Sequence, residues 1–137
     1  MKVNGLELPV ALERDLNEGR RPLSGHAIAA LTALLTRLER PLPRLYALEG
    51  IQDTNRLWDS PNADFYVGAP SDLYRPGDVD RRRTLIIGHA EPDSPIALDY
   101  RSNPPRVIYL GDVDSKTYWL ELAPSYEVFI SMIGGTP

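Results

Sequence analysis

The strongest constraint on the fold lies between residues 84 and 122, where four β-branched or aromatic segments follow one another in close order. They are Thr84–Ile87, Pro95–Asp99, Arg106–Leu110 and Thr117–Leu122, and the links between them are rich in Pro, Asp, Asn and Gly. A parallel return would need a crossover of about a dozen residues, so links this short point to antiparallel pairing. Leu85-Ile86-Ile87 is continuous rather than alternating, which predicts a central strand buried on both faces.

Helical patterns flank this meander. From Pro9 to about Asn17, Leu8, Leu12 and Leu16 recur every four residues, and Gly19 supplies a stop. A second helix starts at Ser24, a good N-cap, and carries the stripe Ile28, Leu31, Leu34, Leu35 and Leu38 before Pro41 and Pro43. A third covers about Glu49 to Trp58. Phe65-Tyr66-Val67 reads as a short strand, and Ser71 to Arg82 as a long loop. The final helix opens at Pro124-Ser125, carries Tyr126, Phe129, Ile130 and Ile133, and stops at Gly134-Gly135. Helices, then a meander, then one helix predict an α+β domain spanning residues 1–137. Its mostly antiparallel sheet of four to six strands is covered by the N-terminal helices and the C-terminal one.

A chain of 137 residues that is 42% hydrophobic can bury a real core. It contains no cysteine, which removes disulfides, thiolate metal sites and cysteine nucleophiles together. No apolar run approaches the roughly 18 residues of a membrane-spanning helix, and the polar start lacks a signal-peptide core, so a cytoplasmic location is the expectation. Charge is unevenly placed. Residues 1–87 hold 12 acidic and 12 basic side chains and residues 88–137 hold 7 and 3, so the net charge of −4 sits in the last part. An acidic surface repels phosphate backbones and is drawn to basic proteins.

The order of motifs carries a resemblance. Asn4-Gly5-Leu6-x-Leu8-Pro9 comes first, followed by Leu45-Tyr46-x-Leu48-Glu49-Gly50, Ala63-Asp64-Phe65-Tyr66 and Leu85-Ile86-Ile87-Gly88. Then come Ile96-Ala97-Leu98-Asp99-Tyr100-Arg101, Pro105-Arg106-Val107 and Trp119-x-x-x-Ala123-Pro124-Ser125-Tyr126-x-x-Phe129. This succession resembles the SUKH superfamily, the Smi/Knr-type domain of fungal cell-wall-assembly regulators and bacterial toxin-immunity proteins. The resemblance covers nearly the whole chain. It implies an α+β fold without a catalytic site, with Gly88 at a strand end, Asp99 after an apolar run, Trp119 in the last strand and Phe129 in the last helix as structural positions. Family members act by binding proteins, either as immunity proteins that block a toxin or as interaction hubs.

Other candidate chemistry is weaker. His89-x-Glu91 matches the start of a zinc-deaminase signature, whose remaining ligands are cysteines this chain lacks. His89 therefore reads as a loop residue beside Gly88. Asp78-Val79-Asp80 and Asp112-Val113-Asp114 could offer oxygens to a hard cation, but Asp favours turns on its own account. Ser24 and His26 lack the context of a serine nucleophile, and capping explains Ser24. Arg81-Arg82-Arg83 reads as a solvated lead-in to a strand. Trp119 is assigned to the core, and Trp58 to an exposed anchor for a partner.

The expectation is thus a module without cofactor, metal or catalytic residues that binds a protein, possessing no affinity for nucleic acid or membrane. Trp58 would be its anchor, and Glu91, Asp93, Asp112 and Asp114 would be rim charges facing a basic toxin domain. A regulatory hub without a toxin partner is the alternative. A small metal-dependent hydrolase using Asp78, Asp80, Asp112 or His89 is the reading from a different class.

Overall fold

A computed structural model describes residues 1–19, 23–58 and 66–134. The chain opens on a small hairpin, β1 (Lys2–Val3) and β2 (Leu6–Glu7), and continues through α1 (Val10–Asn17), α2 (Gly25–Leu34), β3 (Arg44–Leu45) and α3 (Leu48–Arg56). After β4 (Pro76–Gly77) and a 3-10 turn (Arg81–Arg83) come β5 (Thr84–Glu91), β6 (Ser94–Asp99), β7 (Arg106–Val113), β8 (Lys116–Ala123) and α4 (Tyr126–Met132). Strands β3, β5, β6, β7, β8 and β4 pair in that order into one antiparallel six-stranded sheet. The α+β class and the four-strand meander follow the sequence pattern.

Strand alternation divides the core in two. Leu85, Ile87, Ile96, Leu98, Val107 and Tyr109 point to one face, where Leu12, Leu31, Leu35, Tyr126 and Phe129 from α1, α2 and α4 cover them. Ile86, Ala97, Ile108, Leu110 and Trp119 point to the other, beneath Trp58 and Val79. Leu85-Ile86-Ile87 is accordingly buried on both sides. Its strand is not central, however: β5 lies one place in from the edge, beside the two-residue β3.

Helix α3 straddles that edge. Ile51 joins the first core, and Trp58, just beyond the helix, joins the second. Between them, Asn55 is fully buried. Its Nδ2 donates to the carbonyls of Ile51 and Ile86 at 2.7 Å each, and its Oδ1 accepts from the Ile86 N–H at 2.8 Å. The side-chain amide thus takes the place of a neighbouring strand where β3 has run out. Buried peptide groups need such partners.

Several local expectations change. Ile28 is 40% exposed, and α2 instead buries Ala27 and Leu31, followed at the same spacing by Leu35 at its C-cap. The helix ends at Leu34, well before Pro41. The third helix is Leu48–Arg56 rather than Glu49–Trp58. Phe65 lies outside the described residues, and Tyr66 and Val67 form no strand, although the Val67 carbonyl accepts from the Val79 N–H. The loop Ser71–Arg82 holds β4 and the start of the 3-10 turn. Gly135 also lies outside the described residues, and Gly134 carries the positive φ of 81° that ends α4. No helix among the described residues is long and apolar enough to cross a membrane.

The β1–β2 hairpin was not anticipated, though its signal is local. Asn4 and Gly5 take φ of 52° and 78° between the paired Val3 and Leu6. Asn-Gly favours this two-residue turn because both residues tolerate positive φ.

Candidate functional site

On the second face of the sheet an open hollow of about 350 Å³ is lined by Tyr46, Thr54, Leu57, Trp58, Tyr66, Ile86, Gly88, His89, Pro92 and Pro95. Four separate stretches of chain build it: β3 with the residue after it, the end of α3, Tyr66, and the β5–β6 hairpin. Pockets of this size and apolar character, with a few polar groups, are where proteins bind ligands and side chains.

Gly88 makes the assembly possible. It pairs with Leu45, and a Cβ on it would meet the Arg44 carbonyl oxygen at 2.3 Å. Only glycine lets β3 approach, and that approach delivers Tyr46 to the hollow. The position is inside β5, not at a strand end, because the strand continues to Glu91. His89 likewise belongs to β5 and pairs with Arg44 and Pro95, so it is not a loop residue. β-Sheet geometry was hidden in the sequence by Gly88, which interrupts the apolar run.

The polar centre of the hollow is a pair. The Tyr46 hydroxyl and His89 Nδ1 are 2.7 Å apart, with the rings edge to face at 5.4 Å between centroids. Burial, seconded by the nearby Arg44 guanidinium, pushes the His89 imidazole below its ordinary pKa of 6.5. Burial also raises the Tyr46 phenol, against a smaller opposing effect of Arg44. Both rings are therefore neutral at pH 7. If the hydroxyl donates to Nδ1, Nε2 carries the outward proton; in the other tautomer the hydroxyl keeps it. Either way the pair offers one donor and one acceptor.

Trp58, expected to be exposed, is only 3% so. Its Nε1–H donates to the Arg81 carbonyl at 3.2 Å, and Arg81 Nη1 donates back to the Trp58 carbonyl at 3.4 Å. The indole is a wall of the hollow rather than a protruding anchor. The exposed apolar residue here is Leu57, at 70%. Trp119 is fully buried, as expected, and donates through Nε1 to the Tyr66 carbonyl at 2.7 Å. Phe129 is fully buried beneath α4.

The four expected rim carboxylates separate into two hairpins. Glu91 and Asp93 sit on the β5–β6 hairpin, whose Pro92 and Pro95 line the hollow, but neither carboxylate lines it. Asp112 and Asp114 belong to the β7–β8 hairpin. Glu91 and Asp112 both line a neighbouring depression, but Arg37 and Arg40 line it too, so the surface there is mixed rather than acidic. Asp114 and Ser115, with φ of 50° and 67°, form the turn of their hairpin.

Elsewhere the singled-out residues have structural partners. Asp80 accepts from the Arg82 N–H, two residues on, at 3.1 Å. Asp78 accepts from Arg101 Nη1 at 3.2 Å. Ser24 caps α2 by accepting from the Ala27 N–H at 3.1 Å, and His26 is exposed beside it. Arg82 and Arg83 are exposed, and Arg83 donates to the Tyr100 carbonyl. Asp99 is fully buried and accepts from Arg101 and Arg106. Burial acts to raise its pKa, but the hydrogen bonds and charge of Arg101, joined by Arg106, outweigh it and hold the carboxyl below the ordinary value. Among the described residues no group of three or more His, Asp or Glu is placed to hold a metal ion.

Comparison with protein-family models, with curated proteins and with solved structures finds no match to this chain.

Proposed function

We propose that this chain is a protein-binding module that works without catalysis, acting in the cytoplasm as an immunity protein that neutralises a toxin by occupying it. One observation carries the binding reading: an aromatic hollow with an exposed leucine on its border adjoins a hairpin bearing Glu91 and Asp93. Protein interfaces have this anatomy, an apolar centre enriched in aromatic side chains within a polar rim. The resemblance of the motif order to SUKH domains supports the narrower immunity reading, and the carboxylates suit a basic partner.

The test begins with the protein encoded beside this gene. Co-expression should restore growth if that neighbour is toxic, and the two proteins should co-purify. Leu57→Asp should weaken the complex at least tenfold, as expected for a central contact. Charge reversal of Glu91 and Asp93 to Lys should slow association and flatten its salt dependence. The same reversal at Asp112 and Asp114 should do less, because their β7–β8 hairpin contributes no residue to the lining of the hollow. A toxic neighbour that neither binds nor is neutralised would end the immunity reading. A complex indifferent to Leu57→Asp would place the interface elsewhere.

A further inference from the structure

We infer that the hollow receives one aromatic side chain of the partner protein, a tyrosine or tryptophan, seated with its hydroxyl or N–H edge against the Tyr46–His89 pair. This rests on the protein-binding reading and adds the chemistry of the anchor. Shape comes first: the aromatic residues Trp58 and Tyr66 and the prolines Pro92 and Pro95 all line the hollow. Flat surfaces of this kind pack against a ring, which buries much apolar area for little loss of side-chain freedom.

Charge comes next. Among the described lining residues none is Asp, Glu, Lys or Arg, and His89 is kept neutral. A charged side chain would lose its hydration there without an opposite charge on those walls to pair with directly. A purely aliphatic or phenyl anchor would leave the hydrogen-bonding capacity of the Tyr46–His89 pair unused. A ring carrying one polar atom satisfies both conditions.

Leu57 identifies the source of the ring. It lines the hollow, yet 70% of it faces solvent. A free small ring seated inside would leave that surface wet, whereas a ring presented on a polypeptide brings backbone and neighbouring side chains to cover it.

The full chain can be titrated with p-cresol, 3-methylindole and toluene while the indole N–H signals of Trp58 and Trp119 are followed by NMR. The first two should shift Trp58 saturably, with dissociation constants on the order of 1 mM for ligands this small. Trp119 should stay still, and toluene should bind about fivefold more weakly for want of one hydrogen bond. The double change Tyr46→Phe with His89→Leu should remove that difference. N-acetyl-tyrosine amide should bind more tightly than p-cresol, and Leu57→Asp should abolish that advantage. Absence of a saturable Trp58 shift, or toluene binding as well as p-cresol, would overturn the inference. It would leave the protein-binding reading to stand on the Leu57→Asp effect upon the complex itself. A site that takes p-cresol but rejects the capped amino acid would equally overturn it, since the ring would then come from a free molecule.

Discussion

At the scale of single residues, Asn55 and His89 show how polar groups are retained in apolar surroundings. Asn55 satisfies three backbone groups at once, two of them on β5. Asn55→Ala leaves the N–H and the carbonyl of Ile86 buried without partners, and should cost about 3 kcal/mol. Urea denaturation would measure this, and a loss below about 1 kcal/mol would mean that water or a shifted strand replaces the amide. His89 makes a different prediction. Its folded pKa lies below 6.5, so the unfolded chain binds this proton more readily than the folded one. Stability from this group is therefore complete above the unfolded value and falls as pH drops through it, until the folded imidazole also protonates. Thermal melts from about pH 7 to about pH 5 should show a decline for the wild type that is shallower in His89→Gln. Equal slopes would show that the imidazole is not held neutral by burial beside Arg44.

At the scale of elements, legibility tracks how local the cause is. α1, α2 and α4 and the four long strands were readable because spacing, caps and turn residues act within a few positions. Asn4-Gly5 is an equally local signal for the β1–β2 turn. β3 and β4 have two residues each, too few to leave a period, and exist because β5 and β8 pair with them. The hollow was not legible at all. It depends on Gly88 admitting β3, and on residues 46, 58, 66, 89 and 95 meeting from distant parts of the chain. Trp58 misled for the same reason: a helix end is normally exposed, but this one lies against β5. Even so, Ile51 and Asn55, four apart, hinted that one buried helical face carries a polar group. The β7–β8 turn offers a test of purely local logic. Asp114 and Ser115 both take positive φ between the paired Val113 and Lys116, where Asn and Gly fit with less strain. The double change Asp114→Asn with Ser115→Gly should stabilise by about 1 kcal/mol and raise Tm by about 3–5 °C. A lower Tm would show that the native side chains make contacts worth more than the relieved backbone.

At the scale of the molecule, the question is what holds the cover of the second face, since the described segment around Asp78 and Val79 contributes one two-residue strand and one short 3-10 turn. Asp99 supplies a link. Its carboxylate, at the end of β6, accepts from Arg106 on β7 at 2.9 Å and from Arg101 at 3.0 and 3.2 Å. Arg101 reaches on to the carbonyl and carboxylate of Asp78 at 2.6 and 3.2 Å. One buried charge thereby ties two sheet strands to the segment carrying Val79, which packs over Ile86 and Trp119 in the second core. Asp99→Asn keeps the shape and removes the charge, leaving two guanidinium groups, each about a quarter exposed, without their shared counter-ion. Removing one partner of a buried ion pair costs about 3–5 kcal/mol, and the partial exposure of the arginines places this case near 3. The acid limb should change as well. The depressed pKa of Asp99 contributes stability that is present above its ordinary value of 3.8 and is lost as pH falls through the folded value. Acid unfolding of the wild type should thus be steeper below that pH than in Asp99→Asn. The loss should also reach the hollow, because Trp58 packs in the same second core as Val79. In the variant, Trp58 should become more accessible to a neutral quencher such as acrylamide while the first core, on the opposite face, keeps its hydrogen-exchange protection. If both faces loosen together, the two cores form one cooperative unit and Asp99 serves the whole sheet rather than the cover of one side.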